Sequence, residues 1–291
     1  MQEIDEGIYY EDSFSGVTLG ALFFSQGMIL IDAPLRTEDA RSWRSVLMNR
    51  HGWSNRFLVS LDSHPDRTLG LRAMESTIVT HQETAEVFDG RPTIFKGEDV
   101  KTGADWEFYN EVIGMRWVVP GITFNQRLTL HWNSSEIILE HHPGPTAESI
   151  WVVLPEEQVV FVGDTVVLNQ PPFLANANLE IWVEELELLL KSYEDYVIIC
   201  GRGGPVKKED MHELRKFLRN VIRRMERLAN KKALPEATKK MVPSLLSKLS
   251  FLSSDQTKYT KRLQYGLYQC YLQRYFPYDA LDQSVLRPEN Q

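Results

Sequence analysis

The sequence predicts an α/β protein: sheets covered by helices, followed by a helical C-terminal extension. Three observations carry that prediction. Apolar runs in the first 205 residues pair across short polar turns, as hairpin strands do. Helical spacing falls between these groups of strands, which places helices on sheet faces. After Gly201-Arg202-Gly203-Gly204-Pro205 the pattern becomes purely helical.

Val17–Phe24 and Met28–Asp32 are strand-like and flank the turn Ser25-Gln26-Gly27. Thr37–Arg50 has helical spacing, with Trp43, Val46 and Leu47 apolar. Arg56–Leu61 is a short strand, Thr68–Ser76 a candidate helix and Thr77–Thr80 another strand. Leu128–His131 and Ile137–Glu140 bracket Asn133-Ser134, a second hairpin turn. Ile150–Leu154 and Gln158–Gly163 bracket Pro155-Glu156-Glu157, a third. Leu179–Ser192 places Trp182, Leu186, Leu189 and Leu190 on one side of a helix, and Tyr196–Cys200 is the next strand. Beyond it, Met211, Leu214, Leu218, Val221, Met225 and Leu228 recur every three or four residues, an amphipathic helix. Pro235 and Pro243 punctuate shorter pieces, and Ser254 or Asp255 caps a last helix that reaches Tyr275. The expected division is therefore a body over 1–205 and a basic helical extension over 206–291.

Of the 291 residues, 43% are hydrophobic and 25% charged, as in an ordinary globular protein. No apolar run of about 18 residues is present, so no transmembrane helix is expected. MQEIDEGIYYED lacks the basic start and apolar stretch of a signal peptide. Two cysteines, Cys200 and Cys270, exclude a disulfide scaffold and a thiolate zinc site, and a cytoplasmic protein is expected. Residues 1–205 carry a net charge of −17 and residues 206–291 one of +9. The basic segment is expected to dock on the acidic body or on a second copy; nucleic acid is not the expected partner, because a basic helix face is commonly just solvated.

Chemistry concentrates in LVSLDSHPDRTLG, residues 58–70. An apolar strand ends there and Asp62, His64, Asp66 and Arg67 follow. On extended chain, side chains two apart share a face, so Asp62, His64 and Asp66 converge just past the strand end. Carboxylate and imidazole are ligands for zinc, iron and manganese. Other strands end at His141-His142-Pro143-Gly144, at Asp164 and at Gly201-Arg202-Gly203. Ionisable groups at strand C-terminal ends are how α/β sites are commonly built.

The order and spacing of these segments resemble the metallo-β-lactamase-fold metallohydrolases. Their first motif, His-x-His-x-Asp-His, reads Asp62-Ser63-His64-Pro65-Asp66-Arg67 here. Their His before Pro-Gly matches His141-His142-Pro143-Gly144, with His141 in the ligand register and His142 the alternative. Gly163-Asp164 matches their Gly-Asp, and Gly201-Arg202-Gly203 stands where they have Gly-His-Gly. Asp32, His81 and the stretch PPFLANANLEIWVEEL also sit where the family has such residues.

What the resemblance implies is a four-layer αββα sandwich with a metal edge. One divalent ion, zinc first and iron or manganese next, would be held by Asp62, His64, His141 and Asp164. The second site is damaged, because Arg67 and Arg202 replace imidazoles and a guanidinium has no lone pair to donate. In the implied hydrolase, Asp66 orients a metal-bound water, Arg67 and Arg202 hold and stabilise a substrate oxygen, and His142 is a further substrate contact. Esters, lactones, thioesters and phosphoesters are open as small-molecule substrates. The alternative is a metal-free degenerate scaffold acting as a binding or structural protein, with the two arginines paired to Asp66 and Asp164. Tyr259, Tyr265, Tyr268, Tyr271, Tyr275 and Tyr278 crowd the last helix. The extension is expected to cover the site mouth or to form a homodimer contact.

Overall fold

The computed structural model describes residues 1–52, 55–97, 100–132 and 135–276; the expected turn at Asn133-Ser134, and Tyr278, lie outside the described residues. Two sheets form the middle of the molecule. The first comprises β1 (Gln2–Asp5), β2 (Ile8–Glu11), β3 (Leu19–Phe24), β4 (Gly27–Ile31), β5 (Asn55–Val59), β6 (Thr77–His81) and β7 (Ile122–Phe124), in that spatial order. β1 to β4 pair antiparallel, and β5, β6 and β7 join parallel. The second comprises β8 (Arg127–Trp132), β9 (Ser135–His141), β10 (Ile150–Leu154), β11 (Val159–Phe161), β12 (Val197–Cys200) and β13 (Gly204–Pro205), again in spatial sequence. There β11–β12 is the parallel pair.

Leu22, Ile31 and Val59 of the first sheet meet Leu139, Val152 and Phe161 of the second in the central apolar layer. Every residue of β10 is buried, because helices cover the outer face as well. Ala40, Trp43 and Leu47 of α1 (Thr37–His51) cover the first sheet. Trp182, Leu186 and Leu189 of α4 (Leu179–Ser192) cover the second. The helix–sheet–sheet–helix layering expected from the sequence is therefore present.

α5 (Lys208–Asn230) buries the stripe Met211, Leu214, Leu218, Val221 and Met225. After α6 (Val242–Leu246), α7 (Gln256–Tyr275) buries Tyr259, Leu263, Leu267 and Tyr271. These side chains share one core with Trp151, Val160, Ile198 and α4, so the extension is fused to the second sheet. Among the described residues, no helix is long and apolar enough to cross a membrane.

Local differences from the expectations have local causes. β1 and β2 were not legible as strands, because their acidic residues mask the alternation in an edge hairpin. The helix expected over Thr68–Ser76 is instead two short turns, α2 (Pro65–Thr68) and a 3₁₀ turn at Leu71–Met74. Gly70 separates them, at a point where a Cβ would collide with the Pro34 carbonyl. α3 (Gln82–Asp89) follows β6 directly.

Candidate active site

The strand ends meet where the two sheets open. Leu61 N–H donates to Asp32 Oδ1 at 3.0 Å, and Ile150 N–H to the Leu61 carbonyl at 3.0 Å. Gly201 N–H donates to the Gly163 carbonyl at 2.6 Å. These bonds gather Asp32, Asp62, Asp164 and Arg202 at one edge. The chain after β5 does not stay extended. His64, held in β conformation by the following proline, caps α2, and Pro65 takes the first helical position. That turn sends Asp66 and Arg67 inward rather than leaving Asp62, His64 and Asp66 on one face.

Arg67 is fully buried and is the hub. Its Nη1 donates to Asp32 and its Nη2 to Asp164. Its Nε lies 2.9 Å from Asp62 Oδ1, an ion pair without hydrogen-bond alignment. Burial opposes the charge, but Asp164, Asp32 and Asp62 override it and hold the guanidinium far above its ordinary range. Arg202, 2% exposed, is the second hub. Its Nε faces Asp164 Oδ2 at 3.1 Å, its Nη1 donates to Asp66 Oδ2 at 2.9 Å, and its Nη2 lies 3.2 Å from His64 Nδ1. Burial would raise the Asp164 carboxyl, yet Arg202 and Arg67 keep it well below the usual range. The Asp62 carboxyl goes the other way: burial, less fully offset by Arg67, pushes it up to about 7.

Asp66 accepts from Asp105 N–H at 3.1 Å and Trp106 N–H at 2.8 Å, besides Arg202. It is wholly buried and engaged by three donors. Arg67 and Arg202, the expected substrate contacts, direct their forks to buried carboxylates and, for Arg202, to His64. His141 is directed elsewhere. Its Nε2 donates to the Ala147 carbonyl at 2.6 Å, and its ring stacks on His81 at 4.1 Å. His142 is not at this edge either. Its ring stacks on Trp151 at 3.6 Å, with Nδ1 2.8 Å from Glu185 of α4. Burial disfavours its charge, but Glu140 and Glu185 outweigh that and raise its pKa.

Several participants carried no sequence signal. Asp105 lies 3.6 Å from Arg202 Nη1, 3.3 Å from Lys258 and 3.3 Å from Arg262. Arg262 of α7 donates twice to the Gly103 carbonyl, at 3.0 and 2.8 Å, and to Gln170 Oε1 at 2.6 Å. Gly103 sits at φ +75°, and a Cβ there would fall 2.7 Å from the Arg262 amide nitrogen. The loop can approach α7 this closely because it has a glycine at that point. Phe173 is clasped by cations, with the Arg262 carbon 3.9 Å and the Arg202 carbon 4.7 Å from its ring centre. The His64 ring lies 4.4 Å from it.

Residues 63–202 match the model of the metallo-beta-lactamase superfamily. Over that span, just under half of the chain, the sequence is similar to that superfamily. Solved structures agree on the fold. A metallo-beta-lactamase from Pontibacter korlensis aligns at TM-score 0.56 and 16% identity, over 75% of this chain and 98% of that one. The metallo-beta-lactamase IND-7 aligns at 0.58 and 17%, over 75% and 96%. An inverting sec-alkylsulfatase, Pisa1 from Pseudomonas sp., aligns at 0.64 and 14%, over 99% of this chain and 52% of that one. No curated protein sequence matches the chain.

That similarity and the shared fold support a metal-dependent hydrolase in general. Its donor set does not fit a metal. His64 Nδ1 accepts from Asp66 N–H at 3.2 Å and faces Arg202 Nη2. Burial, then Arg202, hold the ring's pKa well below the ordinary histidine value, so it is neutral and its proton sits on Nε2. Neither nitrogen then offers a lone pair to an ion. Asp62 and Asp164 face Arg67, and His141 is turned away. Among the described residues, no three His, Cys, Asp or Glu side chains are placed to hold one metal.

Proposed function

We propose that this chain is a metal-free member of its superfamily that acts by binding. The observation that carries the reading is Arg67, whose guanidinium lies among Asp32, Asp62 and Asp164 where a cation is needed. Charge supports it. Asp32, Asp62, Asp66, Asp105 and Asp164 face Arg67, Arg202, Lys258 and Arg262. With the Asp62 carboxyl near half protonation at neutral pH, the cluster is close to neutral without a metal. A divalent ion added to that balance would leave excess positive charge in a dry interior, which is strongly disfavoured.

Metal content decides the matter. Protein purified without chelators and supplied in turn with zinc, iron and manganese should hold less than about 0.1 ion per chain. About one ion per chain would overturn the reading. It would return the single-metal hydrolase of esters, lactones, thioesters or phosphoesters to first place.

A further inference from the structure

The outer face of the C-terminal extension carries charge that the ion-pair cluster does not use. Residues 223–248 hold eight Lys and Arg against two Glu, and residues 223–291, with the whole C-terminal end counted, still carry a net charge of +7. Cations of the extension that face the body are paired there: Arg219 with Glu187, Arg262 with Asp105 and Arg274 with Glu180. Arg223, Arg227, Lys231, Lys232, Lys239 and Lys240 are all exposed, and among the described residues no carboxylate pairs with any of them. We propose that this face docks the protein on an anionic lipid bilayer, with Leu234 entering the headgroup region. No residue of the candidate active site takes part, so this goes beyond the metal-free reading and does not depend on it.

Three observations favour a bilayer. The first is geometry. α5 ends where Lys232 takes a left-handed conformation, φ +52°, at a position that favours glycine. Lys232 N–H donates to the Ala229 carbonyl at 2.8 Å and Ala233 N–H to the Leu228 carbonyl at 3.0 Å, which turns the chain. Tyr271 Oη donates to the Ala233 carbonyl at 2.9 Å, and buried Pro235 begins the next turn, Pro235–Met241. Leu234 lies between these two anchors and is 66% exposed. Arg224 donates to Ser244 Oγ at 2.6 Å and fastens α5 to the segment after that turn. Lys231 and Lys232 before Leu234, and Lys239 and Lys240 after it, are thus carried by one fixed corner. A lone exposed leucine is ordinary, but one flanked by four lysines has the make-up of an interfacial anchor. The second is the kind of cation. Four of the six are lysines, point charges on flexible stems, which suit a fluid surface better than a fixed pattern of phosphates. Residues 223–248 contain no aromatic residue, so the face lacks the stacking platforms that single-stranded nucleic acid uses. The third is polarity. Residues 1–205 carry a net charge of −17, so an anionic surface repels the body and attracts this end, which sets the orientation.

The test is sedimentation of the whole protein with lipid vesicles. Phosphatidylcholine containing about 30% phosphatidylserine should carry the protein down, and phosphatidylcholine alone should not. Raising salt from about 0.1 to about 1 M, which cuts the screening length from about 10 to about 3 Å, should release it. Lys239→Gln together with Lys240→Gln should weaken binding about tenfold or more, since each basic residue near such a surface contributes about fivefold. Leu234→Ser should weaken it about threefold or more and leave the salt dependence in place. No sedimentation with phosphatidylserine, equal sedimentation with both lipids, or binding that the lysine substitutions do not weaken overturns the proposal. So does a DNA duplex bound as tightly as the anionic vesicles with Leu234→Ser affecting neither, which would make the face a nucleic-acid surface. If the lysine variant does not fold, Leu234→Cys carrying a polarity-sensitive dye answers instead, because Cys200 and Cys270 are buried and the label goes to position 234. Its emission should shift to the blue on anionic vesicles, and an unmoved spectrum overturns the proposal.

Discussion

Arg67 and Arg262 are both fully buried guanidiniums, and the cluster holds them in different ways. Arg67 is held by three carboxylates, which drive its pKa far up against burial. Arg262 is held mainly by carbonyl and amide oxygens, with one carboxylate; burial, then the neighbouring Arg202, bring it down to about 10. Formal charge fixes the first to the sheets, and dipoles fix the second to a loop. The difference teaches that the edge has a locked half, built by strand ends, and a looser half, where α7 is seated.

The largest effect should come from Arg67→Met. Three buried carboxylates then lose their shared cation, and removing one partner of a buried pair typically costs about 3–5 kcal/mol. Urea unfolding should show a loss of that order. A loss under about 1 kcal/mol would erase the contrast, since exposed ion pairs give no more.

Arg262→Met comes next, at about 2–3 kcal/mol, since hydrogen bonds from a charged donor contribute that much and Lys258 still faces Asp105. The location of the loss matters more than its size. Hydrogen exchange should quicken in α7 and around Gly103 while β4, β5 and β11 stay protected. Equal quickening in the strands would show the two halves to be one cooperative unit.

The strand ends, the hairpins and the αββα layering were readable because apolar alternation and turn residues are local signals. Arg67–Asp164, Arg202–Asp66 and Arg202–Asp164 were readable as pairs, because arginine in a histidine's place must find carboxylates. The geometry of His64 was less legible. Treating residues 62–66 as extended chain gave a shared face, although Pro65 after His64 already marks a helix start. Asp105, Lys258, Arg262 and Phe173 could not be found, since long-range contacts bring them to the site: Arg262 to Asp105 spans 157 residues and Lys258 to Asp105 spans 153. Nothing in the local composition around Asp105 or Arg262 announces such a partner.

A smaller effect, about 1 kcal/mol, is expected of His142→Gln, which sharpens the comparison by testing a cation outside the cluster. The imidazole's folded pKa is raised by Glu140 and Glu185, against burial. A raised base stabilises the fold below its unfolded pKa of about 6.5 and loses that contribution as pH rises through the folded value. The wild type should therefore exceed the variant in stability most near pH 6, by urea midpoint, and least near pH 9. A gap that widens with pH would reverse the assignment.

The smallest effect should be Asp62→Asn, within about 1 kcal/mol at pH 6, because the carboxyl is already largely protonated there. Its folded pKa of about 7 lies above the unfolded one, so the native state holds a proton that the unfolded chain releases. Stability then declines as pH rises from about 4 toward 7, and the asparagine variant should lack that part of the decline. An unchanged slope in its pH–stability profile would show that Asp62 is ionised throughout.

The seat of Arg262 has a consequence for synthesis. A ribosome delivers the chain from residue 1 onward, so Asp32, Asp62, Asp66, Asp105 and Asp164 all emerge before Lys258 and Arg262. Until α7 arrives, Asp105 has Arg202 as its cation within the cluster, and the groove beneath Phe173 lacks one wall. The nascent body can condense around Arg67 and Arg202 soon after residue 202, since its strands are then complete up to β12. That groove closes only when the last helix docks. Loss of α7, by a premature stop or by proteolysis, would thus take away one wall of that groove together with part of the core it shares with the second sheet.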